Sequence, residues 1–112
     1  MKIIGVTVEA AGSVQHPQPR PWRIGLPRRP LAARPGFLVI HTDAGITGRA
    51  RVERVEPIED FVERHLRAEL VGLDPLDREY IWHRVWEVNR LEYVSTPLFG
   101  VVDIALWDLA GK

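Results

Sequence analysis

The last stretch of the chain, Thr96 to Lys112 (TPLFGVVDIALWDLAGK), limits the possible folds most. Thr96 suits an N-cap and Pro97 the first helical position, where no N–H is required. Gly111 suits a left-handed turn that ends a helix, and Lys112 places positive charge at the negative end of the dipole. Between these signals only Asp103 and Asp108 are charged. A helix that is apolar nearly all round is buried on most sides or spans a membrane. At 1.5 Å per residue it reaches only ~24 Å, short of the ~30 Å hydrocarbon layer. The expectation is therefore a central helix covered by other elements.

Proline divides the rest. Six of the nine prolines fall between Pro17 and Pro35, while Pro57, Pro75 and Pro97 each stand where a helix should begin. That order, extended segments first and helices after, is expected of an α+β domain. Lys2 to Glu9 alternates, with Ile4, Val6 and Val8 on one face and Thr7 and Glu9 on the other. The strands expected are about 2–9, 37–43 and 46–53, the last two joined at Asp43-Ala44-Gly45, where Gly45 can take φ > 0. On the third strand Ile46, Gly48, Ala50 and Val52 share one face, and Arg49, Arg51 and Glu53 the other. The helices expected are about 57–71, 75–88 and 97–110. In the first, Ile58, Phe61, Val62, Leu66 and Leu70 recur at helical spacing. Its pairs Asp60–Arg64 and Glu63–Arg67 stand in the favourable i,i+4 order, and Gly72 stops it. Asp74 is expected to cap the second helix, with Pro75 at its first position and an apolar side of Leu76, Tyr80, Trp82, Val85 and Trp86. The fold class is α+β: a three-stranded antiparallel meander followed by a three-helix bundle, one domain over 1–112.

Composition excludes several functions. The chain of 112 residues has no cysteine, hence no disulfide, thiolate nucleophile or Cys-based metal site. Its 15 basic and 15 acidic residues balance, so the whole molecule has no electrostatic pull toward nucleic acid or membrane. The N-terminus reads as a strand, since a signal peptide needs a longer unbroken apolar run. The cytoplasm is the default location. The segment from Ala10 to Thr42 is an exception to the neutrality: it holds Arg20, Arg23, Arg28, Arg29 and Arg34 and no acid. A long loop of this kind inside a compact domain tends to be functional or disordered.

Three stretches, taken together, resemble a known family: TDAGITG at 42–48, LVGLDPLDREYIW at 70–82 and GVVDIALWDLAGK at 100–112. Their order and spacing resemble the N-terminal capping domain of the enolase superfamily, in its mandelate racemase / muconate-lactonizing enzyme branch. The resemblance spans the chain except the loop at 16–35. In that family a TIM-like barrel carries the chemistry: carboxylate ligands hold Mg²⁺, and a Lys or His base removes a proton α to a carboxylate. The resemblance thus implies a partner barrel outside this stretch, no cofactor and no metal or catalytic residue within it, and no activity for these residues alone. The implied parent reaction is that of a lyase or isomerase on a carboxylic acid, with a sugar acid as the guess; a dehydratase and a racemase or epimerase both fit. Family members are usually oligomeric.

The resemblance also implies two substrate-facing loops, here about His16 to Pro35 and Arg49 to Glu56. Many relatives read GxGE where this chain has Gly48-Arg49-Ala50-Arg51. Replacing the acid by Arg51 suggests a site for an anionic or oxygen-rich ligand, because a guanidinium grips a carboxylate at two points. Arg51 is the first candidate, followed by Trp22, Arg23, Arg20 and His16, with Arg49 beside them; the plainer alternative is solvated surface charge. His41, His65 and His83 are scattered and lack ligand spacing. Asp103 and Asp108 are five apart, so they read as structural carboxylates in need of partners more than as an acid/base pair. Tyr80, Trp82, Trp86 and Trp107 read as core and interface aromatics. A different class remains open: a free-standing interaction module whose Arg/Pro loop docks on an acidic partner or RNA. So does a homo-oligomer that buries the surface a barrel would cover.

Overall fold

The computed structural model describes residues 1–12, 34–92 and 94–112. Strands β1 (Ile3–Ala10), β2 (Gly36–Thr42) and β3 (Thr47–Val52) form one antiparallel sheet in the order β1-β2-β3. One continuous helical rod follows: α1 (Val55–Phe61), a π-helical turn (Val62–Leu66) and α2 (Arg67–Leu70). Then come α3 (Arg78–Glu92) and α4 (Thr96–Ala110). The α+β class is as the sequence indicates.

Alternation sets the sheet's two faces. In register, Val8–Leu38–Ala50 and Val6–Ile40–Gly48 form rows facing the helices. The core adds Val55, Ile58, Leu66 and Leu70 from the first rod and Ile81 and Val85 from α3. From α4 come Phe99, Val102, Ala105, Leu106 and Leu109. At Gly48 the helix comes so close that a Cβ would collide with the carbonyl oxygen of Ala105 and stand 2.7 Å from Leu109 Cβ. Glycine here is a packing requirement, since α4 could not otherwise lie on β3.

The other two family-like stretches are also structural. Gly45 takes φ +77° in the β2–β3 turn, closed by Thr42 Oγ1 donating to the Ile46 carbonyl at 2.7 Å. Gly72 takes φ +95°, and its N–H donates to the Ile3 carbonyl at 2.8 Å, while Ile3 N–H donates to the Leu73 carbonyl at 2.8 Å. The turn after α2 is thus fastened to the start of β1.

Several boundaries differ from expectation, each for a local reason. The first helix begins at Val55, before Pro57, because Val55 is fully buried and its N–H finds the Arg34 carbonyl at 2.9 Å. Proline is tolerated in a first turn, where amides have no helical partner. Asp74 does not cap α3. Its carboxylate accepts the Leu76 N–H at 2.9 Å and its carbonyl the Asp77 N–H at 3.1 Å, forming a turn with Pro75, so the helix waits until Arg78. Ser95, not Thr96, is the extended N-cap of α4. Gly111 has φ −77°, a right-handed value, so no left-handed turn ends α4.

The largest correction concerns α4 itself. It is buried on one face only; Ile104 and Trp107 are each 58% exposed on the other. Trp82, Trp86 and Tyr80 are also exposed, and the inward side of α3 is Ile81 and Val85. Tyr80, Trp82, Trp86 and Trp107 are therefore not core. The sheet, the first rod and α3 all pack on one side of α4, which leaves its other side in solvent.

We predict that Gly48→Ala lowers stability by about 1–3 kcal/mol, the usual cost of overpacking. Gly100 lies exposed within α4 with nothing within 4 Å of a built Cβ. Gly100→Ala should therefore raise stability by about 0.5–1 kcal/mol. Urea unfolding midpoints of the two variants check both signs.

Candidate functional site

The outer face of the sheet holds the described candidates. Its rows are Glu9–Phe37–Arg51, Thr7–Val39–Arg49 and Gly5–His41–Thr47. Arg49 and Arg51 point outward together, as the alternation requires. Arg49 reaches diagonally over Phe37, its guanidinium carbon 5.0 Å from the ring centroid, and pairs with the Glu9 carboxylate. Arg51 is freer: its side chain is 66% exposed and its nearest acid, Glu53, stands 3.7 Å away. His41 is engaged locally, with Nε2 2.8 Å from Thr7 Oγ1.

The strand ends beside these arginines are fixed by backbone bonds. Ala11 N–H donates to the Pro35 carbonyl at 2.9 Å, so β1 and β2 stay paired to the edge of the segment between them. Gly36 packs so closely that a Cβ would strike the Glu9 carbonyl oxygen and lie 2.5 Å from Val55 Cγ1. The remaining candidates, His16, Arg20, Trp22 and Arg23, lie outside the described residues.

Asp108 joins α4 to this strand. Its Oδ2 accepts the Arg49 N–H at 2.9 Å and the Lys112 ammonium at 2.8 Å, and Lys112 also donates to the Thr47 carbonyl at 2.9 Å. The Lys112 hydrogen bond first, then the Arg49 amide, hold its carboxyl below the usual carboxylate range. Asp108 is thus a structural carboxylate bonded to a neighbouring N–H.

A second surface lies between α3 and α4. Trp82 and Trp86 stack with centroids 6.5 Å apart, both edge-on to Phe99 at 6.2 and 6.4 Å. Arg78 lies over the Trp107 ring at 3.7 Å. Ile81, Val85, Val102, Asp103 and Leu106 complete the groove between the helices. Among the described residues no cluster of three or more His, Asp or Glu side chains could hold a metal ion; the resemblance puts the Mg²⁺ ligands in the barrel. Nor, among them, is any helix long and apolar enough to cross a membrane. Sequence reasoning missed Glu9 and Phe37. Alternation put Glu9 outward, but only the strand register reveals which arginine it meets.

The described residues thus form a three-stranded meander closed by a helix docked through a glycine, with Arg49 and Arg51 on the far sheet face. No protein-family model matches the chain. A D-galactonate dehydratase family member of Oceanicola granulosus is 32% identical over 78 residues, 65% of this chain and 19% of that protein. The structure of D-glucarate dehydratase from Agrobacterium tumefaciens, complexed with magnesium, matches with a TM-score of 0.73 at 25% identity, over 98% of this chain and 29% of that one. Muconate lactonizing enzyme from Mycobacterium smegmatis, complexed with muconolactone, gives 0.70 at 26%, over 99% and 30%. The chain has the fold of the N-terminal capping domain of the enolase superfamily, mandelate racemase / muconate-lactonizing branch. It spans less than a third of the length of these relatives.

The Asp108 contacts set a pH dependence. Its folded pKa is lowered, so its stabilisation is present above the unfolded value near 3.9 and is lost as pH falls through the folded value. Asp108→Asn should be less stable than the parent at pH 7 and converge with it in acid. Urea midpoints measured from pH 7 to pH 3 check the convergence.

Proposed function

We propose that this chain is the specificity cap of a Mg²⁺-dependent enolase-superfamily enzyme that removes the α-proton of a sugar acid, as a dehydratase or an epimerase. The cap closes over a TIM-like barrel that carries the metal ligands and bases. The exposed aromatics of α3 and α4 offer an apolar surface for that barrel or for a second subunit. The cap's own work is recognition and exclusion of water, which makes every charge inside the closed site count for more.

One observation carries the reading: the Arg51 guanidinium stands exposed on the outer sheet face, loosely held, beside the strand ends that bound residues 11–35. Such a fork suits a carboxylate, and the relatives' names point to aldonic and aldaric acids as the class. His16, Arg20, Trp22 and Arg23, on the intervening segment, are proposed to line the same ligand, with Arg49 behind them. Mg²⁺, when bound in the barrel, would stabilise the enediolate that proton loss creates.

The test is proton exchange. The enzyme carrying this cap, with Mg²⁺ and a panel of six-carbon aldonic and aldaric acids in D₂O, should lose the α-proton signal of one acid in the NMR spectrum. Arg51→Gln should raise KM for that acid about tenfold or more, the loss of one charge-assisted hydrogen bond, with kcat affected less. No exchange with any acid, alongside steeply salt-dependent RNA binding by the chain, would sink the proposal in favour of an interaction module.

A further inference from the structure

Arg49 and Arg51 stand two residues apart on one face, yet their surroundings differ. The Arg49 guanidinium is held twice, by the Glu9 carboxylate and by the Phe37 ring at 5.0 Å. Its backbone is held once more, through the 2.9 Å bond from its N–H to Asp108. Glu9 is the penultimate residue of β1 and Phe37 the second of β2. These two residues pair directly in the ladder, at the mouth of the segment from Ala11 to Pro35. Among the described residues, the one acid near Arg51 is Glu53 at 3.7 Å, itself 82% exposed.

We infer that Arg49 is a positioning residue: it clamps Glu9 across Phe37 and so fixes the two strand ends that carry residues 11–35, leaving Arg51 as the arginine of β3 free to meet an anion. The anchoring continues to the end of α4. Lys112 and Asp108 hold the Arg49 backbone, and the Arg49 side chain holds the exit of β1. The purpose assigned to the loop rests on the function proposed above, but the clamp does not.

Amide hydrogen exchange on the 112-residue chain tests it. The reporter is the Ala11 N–H, bonded to the Pro35 carbonyl; the reference is the Asp43 N–H, bonded to the Lys2 carbonyl at 3.0 Å at the other end of the sheet. Glu9→Gln and Arg49→Gln should each speed Ala11 exchange about two- to fivefold, the range of a half-exposed ion pair. The double variant should show no more than either single. Arg49→Lys, which keeps the charge but loses the flat fork, should fall between parent and Arg49→Gln. Arg51→Gln should change nothing, and the Asp43 amide should keep its rate throughout. Additive effects, an unmoved Ala11 amide in Arg49→Gln, or an equal acceleration at Asp43 would each overturn the clamp. Failure of the proton-exchange assay would sink the enzymatic reading and leave these rates untouched.

Discussion

The close approach of α4 to β3 at Gly48 holds this structure together. A helix normally stands off a sheet by the length of intervening side chains. Here a Cβ on residue 48 would collide with the Ala105 carbonyl oxygen. Two small residues meeting face to face bring the helix down onto the strand. That approach places Asp108 within reach of the Arg49 amide and Lys112 within reach of the Thr47 carbonyl. The polar contacts at the end of the helix depend on the glycine that let it descend. Phe99 and Val102, nearer the other end, then face the first helical rod and α3.

The class of fold was legible because each element carries its own local signal. Period-two alternation in Lys2 to Glu9 and Ile46 to Glu53 marked the strands, except that a register shift between Ile3 and Gly5 buries Ile3 and turns the expected inward Ile4 out, 60% exposed; Gly45 and Gly72 marked turns that positive φ then explains. The i,i+4 pairs Asp60–Arg64 and Glu63–Arg67 are present at 2.7 and 2.9 Å. Helix starts were less legible, because a tertiary partner can replace a cap: Val55 begins a helix on the carbonyl of Arg34. The π-helical turn at Val62–Leu66 has no counterpart in the pattern of apolar residues, which stays at helical spacing through it. The burial of α4 was overestimated because hydrophobicity all round a helix says that its surfaces want cover, not that this sheet and these helices supply it.

The candidate site was half legible for a similar reason. That Arg49 and Arg51 point outward follows from alternation alone. That Arg49 meets Glu9 and Phe37 while Arg51 stands more exposed depends on strand register, which brings Glu9 and Phe37 to one corner from 28 residues apart in number. Register is a product of three strands and their turns together, so no single window of sequence contains it. Two side chains of the same type, two residues apart, can thus hold unlike duties on one surface.

The half-covered aromatics on α3 and α4 make the protein its own optical probe. Trp82, Trp86 and Trp107 each keep between 41% and 58% of their surface in solvent, on the helices, across the sheet from Arg49 and Arg51. Indole emission follows the polarity around the ring, so any body that settles on that flank dims the water signal of three fluorophores at once. An anion arriving at the opposite flank of the sheet leaves them unchanged. Those three rings therefore report on the helical flank of this small domain without an attached label.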